Sequence, residues 1–112
     1  MKKIEIFTRP EKLEGIKELL TVHNSHGMST FTVMGCGKQR GYVGEMNLPE
    51  LSINLLPKLC IVSVIEDEDL NELLNDIYSI MGSGAAGDGK VFVYDVYEAM
   101  RIRTGERGSD AL

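Results

Sequence analysis

Polar and apolar residues alternate from Lys2 to Thr8, with Ile4 and Ile6 on one side and Glu5 and Phe7 on the other. That two-residue period predicts a β-strand. Pro10 then suits the first turn of a helix, where its missing N–H has no helical partner to lose. Leu13, Ile16, Leu20 and His23 fall on one helical stripe with Leu19 beside it, and Asn24 to Gly27 ends the helix. Met28–Cys36 is rich in Thr, Val and Phe and predicts a second strand. Periodicity is lost from Gly37 to Leu55, a stretch holding Gly37, Gly41, Gly44 and Pro49. Leu59–Ile65 is a continuous apolar run, a third strand. Glu66 to Asp69 are four acids before a helix, where negative charge suits the helix dipole. Leu70, Leu73, Leu74, Ile77, Ile80 and Met81 then recur at i, i+3, i+4, i+7, i+10 and i+11. Gly82-Ser83-Gly84 breaks this helix, and Val91–Tyr97 predicts a fourth strand.

The order βαββαβ predicts an α+β, ferredoxin-like fold: one four-stranded antiparallel sheet with two helices on one face. Val62, Val64, Val91 and Val93 make strands three and four apolar on both faces. Apolar sheet surface left open by the helices points to a partner, and a homo-oligomer is the economical one. In this arrangement the ends of strands two and four are expected to approach one edge. A connection of about 19 residues in so short a chain marks the Gly37–Leu55 loop as functional or disordered.

Composition narrows the function. The 112 residues suffice for one domain, spanning 1–112. The net charge of −5 argues against nucleic-acid binding, which needs a basic face. No apolar run approaches the roughly 20 residues that cross a bilayer. Met1-Lys2-Lys3-Ile4-Glu5 turns polar too soon for a signal peptide, so a cytoplasmic location is expected. Cys36 and Cys60 show no CxxC spacing and read as thiols packed near strand ends. His23 and His26 lack further ligands at metal spacing and read as solvated histidines at a helix end.

Within this acidic chain, basic residues gather in glycine-flanked clusters. Gly35 to Gly41 contains Lys38 and Arg40 among glycines whose N–H groups can form an anion hollow. Gly82 to Lys90 nearly matches a P-loop, with Gly84, four residues and Gly89-Lys90. Val91 stands where a magnesium-binding Ser or Thr belongs, and a strand follows rather than a helix, so it is not a Walker motif. Arg101 and Arg103, two apart, form a phosphate fork if the chain there is extended. No nucleophile with a neighbouring base and no carboxylate–His pair is evident, so a binding protein rather than an enzyme is expected. A slow ATPase and a purely structural trimer are the alternatives.

These residues resemble the PII nitrogen-regulatory signal-transduction family. Gly87-Asp88-Gly89-Lys90 with Val91-Phe92-Val93-Tyr94-Asp95 is similar to its B loop and following strand. Arg101-Ile102-Arg103-Thr104-Gly105-Glu106 is similar to its C-terminal signature. Gly35 to Gly41 and Leu56-Pro57-Lys58 resemble the two ends of its long T loop, and Met1 to Glu5 and Arg9-Pro10 with Lys12-Leu13 also fit. The resemblance implies a homotrimer with a T loop about 37–55, a B loop about 82–90 and a C-terminal loop about 99–112. It implies ATP or ADP in clefts between subunits. Gly87, Asp88, Gly89 and Lys90 of one subunit hold the phosphates, and Arg101 and Arg103 reach in from the neighbour. Gly35, Gly37, Lys38 and Gln39 line the site, Val64 lies by the adenine, and Ser29 stands where the family usually has an adenine-bonding threonine. Gln39 and Lys58 are the family's links to magnesium and 2-oxoglutarate.

The loop tip departs from the family. Leu51 stands at the tyrosine modified by nucleotidylation, Pro49 at a serine phosphorylated in some relatives, and Asn47 at the arginine that plugs ammonium channels. Covalent control at the tip is therefore not expected, and an ammonium channel is a poor candidate partner. Tyr42, Val43, Met46, Leu48, Leu51 and Ile53 make the loop apolar enough to order against a protein. The expected target is another transporter component, such as an ABC-transporter ATPase at the membrane, or a metabolic enzyme.

Overall fold

A computed structural model of the protein describes residues 1–25, 27–36, 55–85 and 87–112. The elements follow the expected order: β1 (Lys2–Thr8), α1 (Leu13–Val22), β2 (Met28–Gly35), β3 (Leu56–Ile65), α2 (Leu70–Asp76) and β4 (Lys90–Asp95). They form one antiparallel sheet in the order β2-β3-β1-β4. Strands two and four are thus its two outer edges. The expectation that their ends share an edge is wrong, because the central pair β3 and β1 holds the two strands apart.

The alternation in β1 works as expected. Ile4 and Ile6 point to the helix side, where they meet Ile16, Leu19 and Leu20 of α1, Leu73 of α2, and Leu59, Ile61 and Ile65 of β3. Burying each such side chain contributes about 1.5–3 kcal/mol, so this layer holds sheet and helices together. On the opposite face, Phe31, Phe92 and Tyr94 are about half exposed. Phe7 meets Phe92 edge to face there, with ring centroids 5.9 Å apart.

Some boundaries and environments differ from expectation. β3 begins at Leu56, before Pro57. Pro57 is tolerated because β1 stops at Thr8, opposite Leu59, leaving that end of β3 flanked only by β2. β4 stops at Asp95, which faces Lys2 at the start of β1, and Tyr97 is fully exposed. The second helix stays regular only to Asp76 and then widens into a π-helical turn, Ile77–Met81. The extra residue per turn rotates Ile80 off the stripe into solvent, while Ile77 and Met81 still pack on the core.

His23 is not solvated. It is buried at the C-terminal cap of α1, and its Nε2 lies 2.7 Å from the Asp76 Oδ2. Of the cysteines, Cys60 is buried as expected, whereas Cys36, just past the end of β2, is exposed.

Candidate functional site

The loop between α2 and β4 is pinned from several sides. The Asp88 carboxylate accepts the Ser83 backbone N–H at 2.7 Å and the Ser83 hydroxyl at 2.6 Å. Arg9 approaches the same carboxylate at 3.5 Å, and the Thr8 hydroxyl donates to the Asp88 carbonyl at 2.8 Å. The Ser83 hydroxyl, then its N–H, then the charges of Lys12 and Arg9 hold the Asp88 carboxyl below the usual range. Its side chain is therefore spent on the loop itself. Lys12 also donates to the Met81 carbonyl at 3.1 Å, closing the preceding turn.

Glycine is required where this loop crosses the end of β1. A Cβ on Gly89 would sit 2.0 Å from the Phe7 carbonyl oxygen, and its φ of +111° lies in the left-handed region. Gly87, with φ +94°, has open space beside it. The result is a backbone cradle at the start of β4 with exposed Lys90 on its rim. Gly35 and Lys58 lie at this same end of the sheet. The Lys58 Cγ is 3.7 Å from where a Gly35 Cβ would be.

Ser29, Val64, Arg101 and Arg103 lie at the other end. Ser29 pairs with Val62 at the start of β2. Together with Gly27, Met28, Ser63 and Val64 it borders a shallow hollow of about 410 Å³, closed on one side by Ala111 and Leu112. The buried Ser63 hydroxyl fixes its rim by donating to the Gly27 carbonyl at 2.6 Å. Arg101 and Arg103 do not form the expected extended fork. The N–H groups of Thr104 and Gly105 both return to the Arg101 carbonyl, at 3.2 and 2.8 Å, making a tight turn. Arg101 pairs with Glu106 and donates to the Leu112 backbone oxygen at 2.9 Å, while Arg103 is exposed.

The expected residues therefore form two half-sites. Lys90 and Arg101 flank the two ends of β4, whose six residues span about 20 Å at roughly 3.3 Å each. Gly35 and Lys90 share an end of the sheet but stand on opposite edges, three strand spacings of about 4.8 Å apart. Gly37, Lys38, Gln39 and the loop residues Tyr42, Val43, Met46, Leu48, Leu51 and Ile53 lie outside the described residues, as does His26. Reading the residues one at a time gives no role to Thr8 and Lys12, which with Arg9 fasten the glycine loop. Thr8 is marked only by its position at the end of a strand, whereas Lys12, like Arg9, lies in a stretch that resembles the family but carries no assigned role.

The family model described as "Nitrogen regulatory protein P-II" matches residues 1–106. The chain belongs to the nitrogen regulatory protein P-II family. The nitrogen regulatory protein P-II of Rhodospirillum rubrum is 41% identical over 112 residues, covering 100% of both chains. The P-II 1 protein of Methanothermobacter thermautotrophicus is 40% identical, covering 100% of this chain and 97% of its own. That of Pasteurella multocida is 38% identical over 100% of both. The α+β sheet with its two helices fits the P-II ferredoxin-like fold, and the chain is a P-II-type signal-transduction protein whose relatives are named as regulators. Among the described residues, no helix is long and apolar enough to cross a membrane.

Proposed function

We propose that the protein is a cytoplasmic homotrimeric sensor of ATP and ADP that reports its ligand state to a transporter component or metabolic enzyme through the loop at about 37–55. The separation of the two half-sites carries this reading. One end of the sheet offers a braced glycine cradle and Lys90, suited to phosphates, and the other offers an apolar-walled hollow with Ser29 and two arginines. A single copy cannot bring them to one ligand, whereas a neighbouring copy can. The half-exposed aromatic face of the sheet gives copies of the chain a reason to associate. The cradle's phosphate role rests on backbone N–H groups and Lys90, with Arg101 and Arg103 contributed by the neighbour. Magnesium, where ATP brings it, would be met by Gln39. Lys58, beside Gly35, is placed to pair with a carboxylate, so 2-oxoglutarate is the second effector to try with magnesium-ATP. Binding that favours one loop conformation over another shifts partner affinity by the difference.

Calorimetry with ATP and with ADP tests the reading directly. Both nucleotides are expected to bind, and Lys90→Ala and Arg103→Ala are each expected to weaken binding by about 1.5–3 kcal/mol, the scale of a charge-assisted hydrogen bond. Equal binding by both variants and the parent would show that the phosphates lie elsewhere. Adding 2-oxoglutarate in magnesium-ATP and in ADP then distinguishes a dual sensor, with heat only in the former, from an adenylate sensor with heat in neither.

A further inference from the structure

Residues past β4 fold back on themselves as a hook. Met100 bridges to Arg107, and the Gly108 N–H donates to the Ala99 carbonyl at 2.9 Å and to the Glu98 carboxylate at 3.1 Å. Arg107 pairs with Glu98 at 2.8 Å. A short 3-10 turn, Gly108–Ala111, follows, and the Ser109 hydroxyl latches it to Glu66 at 3.1 Å. This delivers Ala111 and Leu112 to the border of the hollow beside Ser29, Val62 and Val64. It also occupies Arg101, whose guanidinium is shared between Glu106 and the Leu112 backbone oxygen.

We propose that this hook is an internal competitor for the nucleotide, so that ligand and hook exclude one another at the Ser29–Val64 wall and at Arg101; the inference rests on the nucleotide-binding reading above. The hook imitates both halves of such a ligand. Leu112 borders the hollow beside Val62 and Val64, whose apolar wall suits a stacked ring, and Glu106 supplies the anion that Arg101 would otherwise take from a phosphate. Its fastenings are built to release. The carboxylates of Glu98 and Glu106 and the guanidinium of Arg107 are exposed by more than a third, and exposed ion pairs hold weakly in water. The buried core of Ile4, Ile61, Ile65 and Leu73 contains no residue of the hook, so the hook can open while the sheet stays intact. Gly105 and Gly108, at φ +73° and +65°, lie within the hook on either side of Glu106 and Arg107 and can take up a change of direction there. A phosphate can grip a guanidinium through two oxygens and carries more charge than the carboxylate it displaces.

Two full-length variants, Glu106→Gln and Leu112→Gly, separate the two halves of the competition. ATP affinity measured by calorimetry is expected to rise in each by about two- to fivefold, the range set by removing one exposed interaction from the unliganded state. ATP binding by both variants when the parent binds none would support the hook in its strongest form. Unchanged or weaker binding in both variants, with the parent binding ATP, would overturn the hook and leave the nucleotide site standing. No ATP binding by parent or variants would overturn both the hook as a competitor and the nucleotide reading beneath it.

Discussion

Asp88 shows how one side chain can matter to a site without facing its ligand. Its carboxylate ties Ser83 to the far side of the glycine loop, and Arg9 and Lys12 add favourable charge. Its native pKa lies below the unfolded value, which is ordinarily near 3.9. The bracing is therefore present above that pH and lost as pH falls through the lower native value. The Ser83 amide resonance, followed by NMR in the parent and in Asp88→Asn, is expected to titrate with a midpoint below about 3.9 in the parent only. A parent midpoint at the ordinary aspartate value would mean that Asp88 is not held by these bonds. The glycines of this loop and Lys90 were legible in the sequence, because glycine followed by a basic residue is a local signal. The bracing role of Thr8, Arg9 and Lys12 was not, since their partners lie 69 to 80 positions away along the chain and come within reach only because β1 lies beside β4.

At the scale of elements, periodicity located both helices and all four strands, with errors confined to their ends and to places where a partner strand runs out. β4 stops at Asp95, opposite Lys2, with one further bond from the Val96 N–H to the Met1 carbonyl at 3.1 Å, so its end is set by pairing rather than by local sequence. The π-helical turn was illegible too: the apolar spacing from Leu70 to Met81 fits an ordinary helix, and nothing in it marks the widening at Ile77–Met81. His23 is the most instructive case. It sits on the apolar stripe of α1, three residues after Leu20, which favours burial. Its partner Asp76 is 53 positions away, so the bond that satisfies it could not be read locally. That bond joins the C-terminal ends of α1 and α2. His23→Ala is expected to destabilise the protein by about 1–3 kcal/mol, through the lost hydrogen bond and the cavity left by the buried ring, since Asp76 itself stays half exposed. Asp76→Asn should cost less, because its amide retains an oxygen acceptor. Urea midpoints measured for both variants check this, and a parent-like midpoint for His23→Ala would mean that the pairing adds nothing to stability.

For the whole molecule, the layout of the sheet bears on function beside the motifs that mark the family. Periodicity along the chain correctly set out the layers and the open apolar face, and the family motifs marked the chain as a P-II protein. The glycine cradle and the arginine turn stand at opposite ends of β4, because one precedes the strand and the other follows it, in keeping with the resemblance, which divides the site between two subunits. Under the proposed assembly, every binding site is then joint property. A chain defective only at Lys90 still presents a sound arginine turn to its neighbour, and a chain defective only at Arg103 still presents a sound cradle. Neither variant alone can build an intact site. Unfolded together and refolded as mixed assemblies, they should regain sites of parental affinity wherever a sound cradle meets a sound turn, much as two broken alleles restore one another in the same cell. Calorimetry on the mixture would show a fraction of tight sites absent from both pure samples, and its absence would place the complete site within a single chain.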